Sequence, residues 1–148
     1  MIPITHSLLC RFLALAAALP MMAMFAAPAQ AAESVLGHWI TQNKKAMIDV
    51  VPCGRFVCGK IVKLLPAADP GIYHDIRNSD PKMRTRPLLG LPIFIDFHDD
   101  GDSWKGQIYD PQYGNTYRSV ISRNPDGTLK VKGCLLFLCK TQTWQPAR

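Results

Sequence analysis

Apolar and polar residues alternate by two along much of the chain after residue 31, and no window there keeps a 3.6-residue apolar period for three helical turns. This alternation is typical of half-buried β-strands. In the clearest run, the apolar face comprises Leu91, Ile93, Ile95 and Phe97. Phe94 is the one large apolar residue that interrupts the polar face of this run. Turn-forming residues separate the alternating runs. The clearest turns are Asp99–Asp102, Asp110–Asn115 and Asn124–Gly127.

The pattern predicts an all-β fold of eight antiparallel strands in up-and-down order. The predicted strands are 35–42, 45–52, 57–65, 91–98, 103–110, 115–123, 128–134 and 139–145. Many short strands in a small domain must close or pack together to protect their edges, and short turns at nearly every junction favour closure. We therefore expect a single eight-stranded antiparallel barrel, which is either filled by side chains or holds one small ligand.

Up-and-down order distributes the connections between the two ends of the barrel. One end is expected to carry connections 43–44, 66–90, 111–114 and 135–138. The other end is expected to carry 53–57, 99–102 and 124–127, together with the beginning and the end of the domain. The 66–90 connection is rich in Pro and charged residues. A connection of this length is usually a functional lid or a disordered segment.

The first 31 residues have the features of a secretory signal peptide. An almost unbroken apolar run over 12–27 follows Arg11, and Ala29-Gln30-Ala31 provides a small-residue cleavage site. The run is shorter than the roughly 20 residues of a membrane-spanning helix, which argues against a membrane anchor. We expect cleavage after Ala31 and export to the periplasm of a Gram-negative bacterium, or secretion.

Composition describes residues 32–148 as one small basic domain. These 117 residues have 16 Lys and Arg against 11 Asp and Glu, a net charge of +5, and four of the five cysteines. Size and export exclude a multidomain enzyme, an integral membrane protein and a cytosolic zinc or thiol enzyme. Nucleic acid is not an expected partner, because no aromatic stacking platform alternates with the basic residues.

The four cysteines form two matched pairs. Cys53 and Cys58 flank one predicted turn, Cys134 and Cys139 flank another, and each pair has four intervening residues. An even cysteine count in an exported protein indicates disulfides. Because the two turns are predicted at opposite ends of the barrel, we expect the pairs Cys53–Cys58 and Cys134–Cys139. The same separation argues against a four-cysteine zinc site, and a redox-active pair normally has two intervening residues. We expect no metal and no cofactor.

Several groups of residues together resemble a known bacterial family. They are Gly37-His38-Trp39, Cys53–Val62, Gly106–Pro111 with Gly114 and Tyr117, Thr141–Trp144, and, in the long connection, Asp75, Asn78, Pro87 and Gly90. The family consists of small exported bacterial proteins with a domain of unknown function whose fold resembles the lipocalins. The resemblance covers essentially all of 35–145. It implies a lipocalin-like barrel and an envelope location, and it brings no catalytic residues.

The tryptophans near the two ends of the domain extend this resemblance. Gly-x-Trp is also the first-strand signature of lipocalins, in which the Trp plugs the closed end of the barrel beneath an Arg that follows the last strand. Trp39 and Trp144 are therefore expected as structural plugs at the same end. Arg148 is the candidate for the covering Arg, although Pro146 stands where the family tends to place it.

The polar residues of the domain form no catalytic or metal-binding pattern in the sequence. Asp96 and the Asp99–Asp102 turn suggest a calcium loop, but the EF-hand spacing would place His98 and Gln107 at ligand positions. No spacing puts two histidines on one face of a short element, and no serine lies in a nucleophile-elbow motif. We therefore predict that the protein is not an enzyme.

Two unusual features are predicted at the same end of the barrel. The long connection concentrates basic residues, namely Arg77, Lys82, Arg84 and Arg86. Those charges alone favour a solvated loop over a binding rim. The last hairpin carries large apolar residues where polar turn residues are expected. These are Leu135, Leu136, Phe137 and Leu138. An apolar cover beside a basic rim is what the mouth of an amphiphile-binding barrel would present.

The function predicted from these features is non-enzymatic binding of a small apolar or anionic amphipathic ligand inside the barrel. The residues expected to contact the ligand, in the interior and at the rim, are Ile93, Ile95, Phe97, Ile108, Leu129, Val131, Arg84 and Arg86. The alternative is an interaction module with a filled barrel. Such a module would dock an envelope protein or a membrane surface through the Leu135–Leu138 tip.

Overall fold

The computed structural model describes residues 32–148, so the predicted signal peptide lies outside the described residues. Its eight strands are β1 (Gly37–Ile40), β2 (Ala46–Cys53), β3 (Phe56–Leu64), β4 (Pro92–Asp99), β5 (Trp104–Asp110), β6 (Asn115–Arg123), β7 (Leu129–Leu135) and β8 (Leu138–Pro146). All eight predicted strands are confirmed. A single 3-10 turn, Pro81–Met83, interrupts the long connection.

Each strand pairs with the next in antiparallel fashion, and β1 pairs with β8 to close the barrel. The fold prediction is therefore confirmed. The closing seam is short, since only Trp39 opposite Pro146 and Ile40 opposite Gln145 are in register. Up-and-down closure places the connections β1–β2, β3–β4, β5–β6 and β7–β8 at one end, which we call the mouth. The other end receives the beginning and the end of the described chain, and we call it the closed end.

Strand β4 departs from the alternation read in the sequence. Its pairing shifts register on both sides. Against β3 the shifts lie between Val57 and Gly59 and between Gly59 and Lys60, and against β5 the shift lies between Ile95 and His98. Each β-bulge adds a residue and exchanges the faces beyond it. Ile95 consequently lies opposite Gln107, on the outer face of the barrel. The predicted inward face is therefore wrong at Ile95, and Phe94 takes an inward position instead.

Large side chains fill the closed end of the barrel. Phe94 stacks on Trp144 with ring centroids 5.1 Å apart and meets Phe97 at 5.0 Å. Two inward glycines admit these rings, because a Cβ on Gly59 would lie 3.1 Å from Phe94 and one on Gly106 would lie 2.7 Å from Phe97. Tight packing of this kind is what holds a small barrel in one conformation.

Trp39 closes the barrel at this end. It is fully buried, and its Nε1 donates to the backbone oxygen of Val35 at 2.8 Å. The guanidinium of Arg123, at the end of β6, lies 5.4 Å from the centre of the Trp39 ring. This is a cation–π contact. The covering Arg is thus Arg123, which corrects the expectation that Arg148 would take this position.

Both predicted disulfides are present. Cys53–Cys58 closes the β2–β3 hairpin at the closed end, and Cys134–Cys139 closes the β7–β8 hairpin at the mouth. Such pairs are typical of oxidising compartments outside the cytoplasm. Within residues 32–148, no helix has the length and apolar character needed to cross a membrane.

Candidate functional site

The mouth half of the barrel holds a cavity of about 560 Å³. Its inner wall is mainly apolar, with Ile48, Ile61, Ile93, Ile108, Val131 and Trp144, and it also includes Tyr117 and Gln142. A volume of this size falls within the range of small-molecule binding sites, which is roughly 300–1,000 Å³. The barrel is thus filled at one end and hollow at the other.

Three of the predicted ligand contacts line this cavity, namely Ile93, Ile108 and Val131. Phe97 and Leu129 belong to the buried core of the closed end and do not line it. Ile95 lies in a groove on the outer face, because the register shifts of β4 place it opposite Gln107. These positions separate the inward residues into a plug and a cavity wall, a division that alternation alone does not reveal.

Arg84 and Arg86, the predicted rim residues, are held within the long connection and do not line the cavity. The Nε of Arg84 donates to the backbone oxygen of Asn78 at 2.8 Å. The Nε of Arg86 donates to Asp75 at 2.8 Å, and its guanidinium lies 4.9 Å from the centre of the Tyr109 ring. Both guanidinium groups therefore hold the connection in shape instead of facing the lumen.

A buried polar network fixes the long connection to the outer face of β5. The Tyr109 hydroxyl lies 2.7 Å from both carboxylate oxygens of Asp75, to which it donates. Asn78 Nδ2 donates to Asp75 at 2.8 Å and to the Tyr109 hydroxyl at 2.7 Å, and Arg86 completes the set. We call Asp75, Asn78, Arg86 and Tyr109 the latch. Its carboxylate is fully buried, which makes its partners indispensable.

Titration of the latch residues follows from this environment. Burial and the hydrogen bond to Asp75 raise the pKa of Tyr109. For Arg86, burial disfavours the charge, but the hydrogen bonds to Asp75 and Tyr109 outweigh it and raise the pKa. The guanidinium and the phenol therefore keep their protons across the physiological range.

Sequence analysis missed the latch. Asp75 and Asn78 were noticed only as family residues, and nothing linked them to Tyr109, which follows more than 30 positions later. One usable signal was the aromatic residue at an outward position of β5, because a large ring there requires a cover.

The latched connection supplies much of the cavity mouth. Its contributions are Ala68, Asp69, Ile72, His74, Ile76, Arg77 and Leu88. An isolated pair between His74 and Pro87 draws the two arms of the connection together. The segment is therefore a folded lid, which is one of the two possibilities left open by its length.

Charged residues gather where the cavity opens. Lys45 Nζ lies 2.7 Å from Asp69, and Arg77 lies 3.7 Å from the other oxygen of that carboxylate. The hydrogen bond from Lys45, followed by the charges of Lys45 and Arg77, lowers the pKa of Asp69. Lys140 also lines the mouth and makes no ion pair within the described part of the chain. It is the cation best placed to meet a ligand.

Asp110 lines the cavity at the end of β5. Burial raises the pKa of its carboxyl, while the backbone N–H of Gln112, at 2.8 Å, and the nearby charge of Lys140 act in the opposite direction. A carboxyl in this setting binds a proton more readily than it does in the unfolded chain. Its stabilising effect is therefore present below the unfolded pKa, about 4, and is lost as the pH rises through the folded pKa.

We expect Asp110→Asn to raise the melting temperature at pH 7 by about 2 to 4 °C, a gain below about 1 kcal/mol. The amide oxygen can still accept from Gln112, whereas the desolvated charge is gone. The gain should vanish near pH 3, where Asp110 is protonated. Thermal melts at the two pH values measure this, and a gain of equal size at both would contradict a charge effect.

Asp126 provides a control of opposite sign. The hydrogen bonds from the side chain and backbone of Thr128 lower the pKa of its carboxyl. Its contribution is present above the unfolded pKa and is lost as the pH falls through the folded one. Asp126→Asn should therefore lower the melting temperature at pH 7 and have little effect in acid.

The Leu135–Leu138 segment, which we call the tip, projects from the mouth. Leu136 and Phe137 are 74% and 85% exposed. Leu135 and Leu138 are also exposed, yet they line the cavity opening. Apolar surface therefore runs from the apex of the hairpin into the lumen.

No group of three or more His, Cys, Asp or Glu residues within 32–148 is arranged to hold a metal ion. The site consists of an apolar lumen with a floor of Trp144, whose Nε1 donates to Gln142 at 2.8 Å, and a charged opening under a latched lid. A closed eight-stranded meander with such a lumen is the architecture of a lipocalin-like barrel.

The comparisons with known proteins agree with this class. Residues 37–146 match a bacterial family described as "Uncharacterized protein conserved in bacteria (DUF2147)", and the chain belongs to that family. Among solved structures, the chain is similar to protein HP1028 of Helicobacter pylori, which is described as belonging to the lipocalin family. The TM-score is 0.68 at 21% identity, over 78% of this chain and 84% of that one. This similarity shows the fold alone. No curated protein matches the sequence.

Proposed function

We propose that the protein is a non-enzymatic binder of one small, mainly apolar ligand with a polar or anionic end, which it holds in the mouth half of the barrel. The observation that carries this proposal is the cavity of about 560 Å³, which has a mainly apolar wall and has Lys45, Arg77 and Lys140 among its lining residues. Apolar walls with a few convergent polar groups are characteristic of ligand sites.

The charges at the mouth favour an anionic end over a cationic one. Lys45, Arg77 and Lys140 face two carboxylates, Asp69 and Asp110. Asp69 is already paired with Lys45, and neither carboxylate forms an ion pair with Lys140 within the described part of the chain. Lys140 therefore remains as the cation for an incoming carboxylate or phosphate.

The two disulfides support a location outside the cytoplasm. With the leader predicted in 1–31, we place the protein in the periplasm. There a small barrel would store or carry an amphiphile that water solvates poorly. The absence of a catalytic constellation in the sequence supports binding as the function.

Gly133 gives the sharpest test, because it lines the cavity with room for a side chain. A Cβ there would lie 3.6 Å from Ile108 and 3.9 Å from Tyr117, which are ordinary contacts. We expect Gly133→Phe to fill the lumen and to weaken binding of dansyl-undecanoic acid by about tenfold or more, the loss of roughly 1.4 kcal/mol. The fold should survive, since a strand residue replaces a glycine.

The measurement is a fluorescence titration of refolded, delipidated protein. Thr141→Phe is the matched control, since Thr141 is exposed on β8 and does not line the cavity. Neutral 1-aminoanthracene serves as a second probe and distinguishes a purely apolar ligand from an amphiphile. Absence of binding by the native protein, or equal binding by Gly133→Phe and Thr141→Phe, would overturn the proposal.

A further inference from the structure

We propose that the protein docks onto an anionic phospholipid bilayer with the mouth of the barrel facing the lipid. The first observation is the uneven distribution of exposed apolar side chains. The most exposed of them at the mouth come from three separate connections and comprise Tyr73, Ile76, Leu89, Tyr113 and Leu135–Leu138. Nearest the closed end, Leu36 and Val51 are only 39% and 37% exposed. Large exposed apolar side chains that gather in one region mark interaction surfaces.

The tip is built to remain exposed. Leu135 pairs with Leu138 and the disulfide joins the strands behind them, so Leu136 and Phe137 must form the apex of a two-residue turn. Leu136 has a φ of 54°, a left-handed conformation that favours Gly, Asn or Asp. Turn geometry therefore does not explain a leucine at this position. A contact between this leucine and an apolar surface outside the chain would explain it.

The three connections form one surface. A Cβ on Gly114 would lie 1.8 Å from the backbone oxygen of Arg77, so the β5–β6 turn with Tyr113 lies directly against the lid segment that contains Ile76. The lid and the tip both line the same cavity opening. Tyrosine rings at a rim around a more deeply apolar centre are the arrangement found at membrane interfaces.

Charge selects an anionic bilayer as the occupant. Arg118 lies opposite Cys134 and shares the outer groove with Leu136, while Lys140 and Lys132 flank the tip on β8 and β7. All three are exposed. The three turns of the closed end instead carry three acidic residues, Asp100, Asp102 and Asp126, against one basic residue, Arg55. A negative surface thus attracts the mouth and repels the opposite end.

Docked in this way, the tip reaches the acyl boundary, the tyrosines lie at headgroup depth and the basic side chains meet phosphates. Leu135 and Leu138 belong both to the tip and to the cavity opening. An amphiphile could then pass between the bilayer and the lumen along apolar surface. This last step rests on the proposed ligand-binding function, whereas docking itself does not.

The test is flotation with vesicles of phosphatidylcholine alone and of phosphatidylcholine mixed with phosphatidylglycerol. We expect binding to the mixed vesicles only, and less of it as the salt concentration rises. The double variant Leu136→Ser/Phe137→Ser should reduce partitioning by about tenfold or more, because two large apolar side chains no longer leave water. The matched control is Leu36→Ser/Val51→Ser, which removes apolar side chains near the closed end and should bind as the native protein does.

Two further readouts separate the outcomes. Brominated lipid in the mixed vesicles should quench the fluorescence of the tryptophan introduced by Phe137→Trp. Such quenching would place the tip within the bilayer. Uptake of 1-aminoanthracene by the tip variant reports on its fold and its cavity independently of docking. The proposal is overturned if the native protein does not float with anionic vesicles, or if the tip variant floats equally well. Selective capture of a protein by the tip without vesicle binding would also overturn it.

Discussion

Replacement of Asp75 by alanine is expected to lower the free energy of unfolding by about 3 kcal/mol. The change leaves the Arg86 guanidinium, the Tyr109 hydroxyl and the Asn78 amide without their common acceptor, although all three were arranged around it. Removing this acceptor costs far more than removing an exposed one, because the Tyr109 hydroxyl and the Asn78 amide stay buried without it, whereas the Arg86 side chain is 29% exposed. Urea denaturation measures the effect.

The position of the latch indicates which part of the chain Asp75→Ala will unfold locally. Because Asp75 holds the lid and not the strands, Asp75→Ala should make the 65–91 segment sensitive to protease while far-ultraviolet circular dichroism remains native. Asp80→Ala is the control. Asp80 is exposed in the same connection, and its side chain accepts only from the backbone N–H of Lys82, so loss of that side chain should cost no more than about 1 kcal/mol. Equal unfolding midpoints for the two variants would contradict the latch.

Loss of the latch should also change the shape of the cavity mouth. The lid supplies Ile72, Ile76 and Leu88 to the opening, so a released lid leaves a wider and wetter mouth. Tyr109→Phe removes one hydroxyl from the network while Arg86 and Asn78 still hold Asp75. It should therefore have a smaller effect than Asp75→Ala, at about 1 kcal/mol.

The strands could be predicted from sequence because local signals specify them. Alternation, short turns and the two cysteine pairs each act within about ten residues, and in an up-and-down barrel neighbouring strands are also neighbours in sequence. Strand β4 fails this reasoning for a physical reason. Asp96, with a φ of 51°, belongs to a bulge, and no local pattern predicts which residue a bulge will leave unpaired. The interruption at Phe94 was the one visible sign.

The cavity and its lid could not be predicted in the same way. Ile93 in the lumen and Phe97 in the plug have the same alternation, and only three-dimensional packing decides which of them contacts empty space. The basic rim inferred from Arg84 and Arg86 failed because both side chains are bound by their own connection. Lys140, which does line the mouth, is indistinguishable in sequence from any exposed strand lysine.

Gly114→Ala is expected to destabilise the protein by about 3 kcal/mol. Gly114 has a φ of +69°, and its missing Cβ would lie 1.8 Å from the Arg77 oxygen and 2.9 Å from Asn78 Cα. Backbone atoms cannot move aside as the end of a flexible side chain can, so either the lid shifts or the turn opens. Gly101→Ala is the matched control, since its φ is +85° but nothing lies within 4 Å of its Cβ position. It should cost only about 1 kcal/mol.

The difference between these two glycine variants measures how closely the lid approaches the β5–β6 turn. Asp75 and Gly114 hold the same segment by different means, one through hydrogen bonds and the other through close backbone contact. Once one substitution has released the lid, fewer lid contacts remain for the second substitution to disrupt. The double variant Asp75→Ala/Gly114→Ala should therefore be destabilised by clearly less than the sum of the single effects, by about 1 kcal/mol or more. Strict additivity in urea denaturation would mean that the latch and the turn do not secure a common lid.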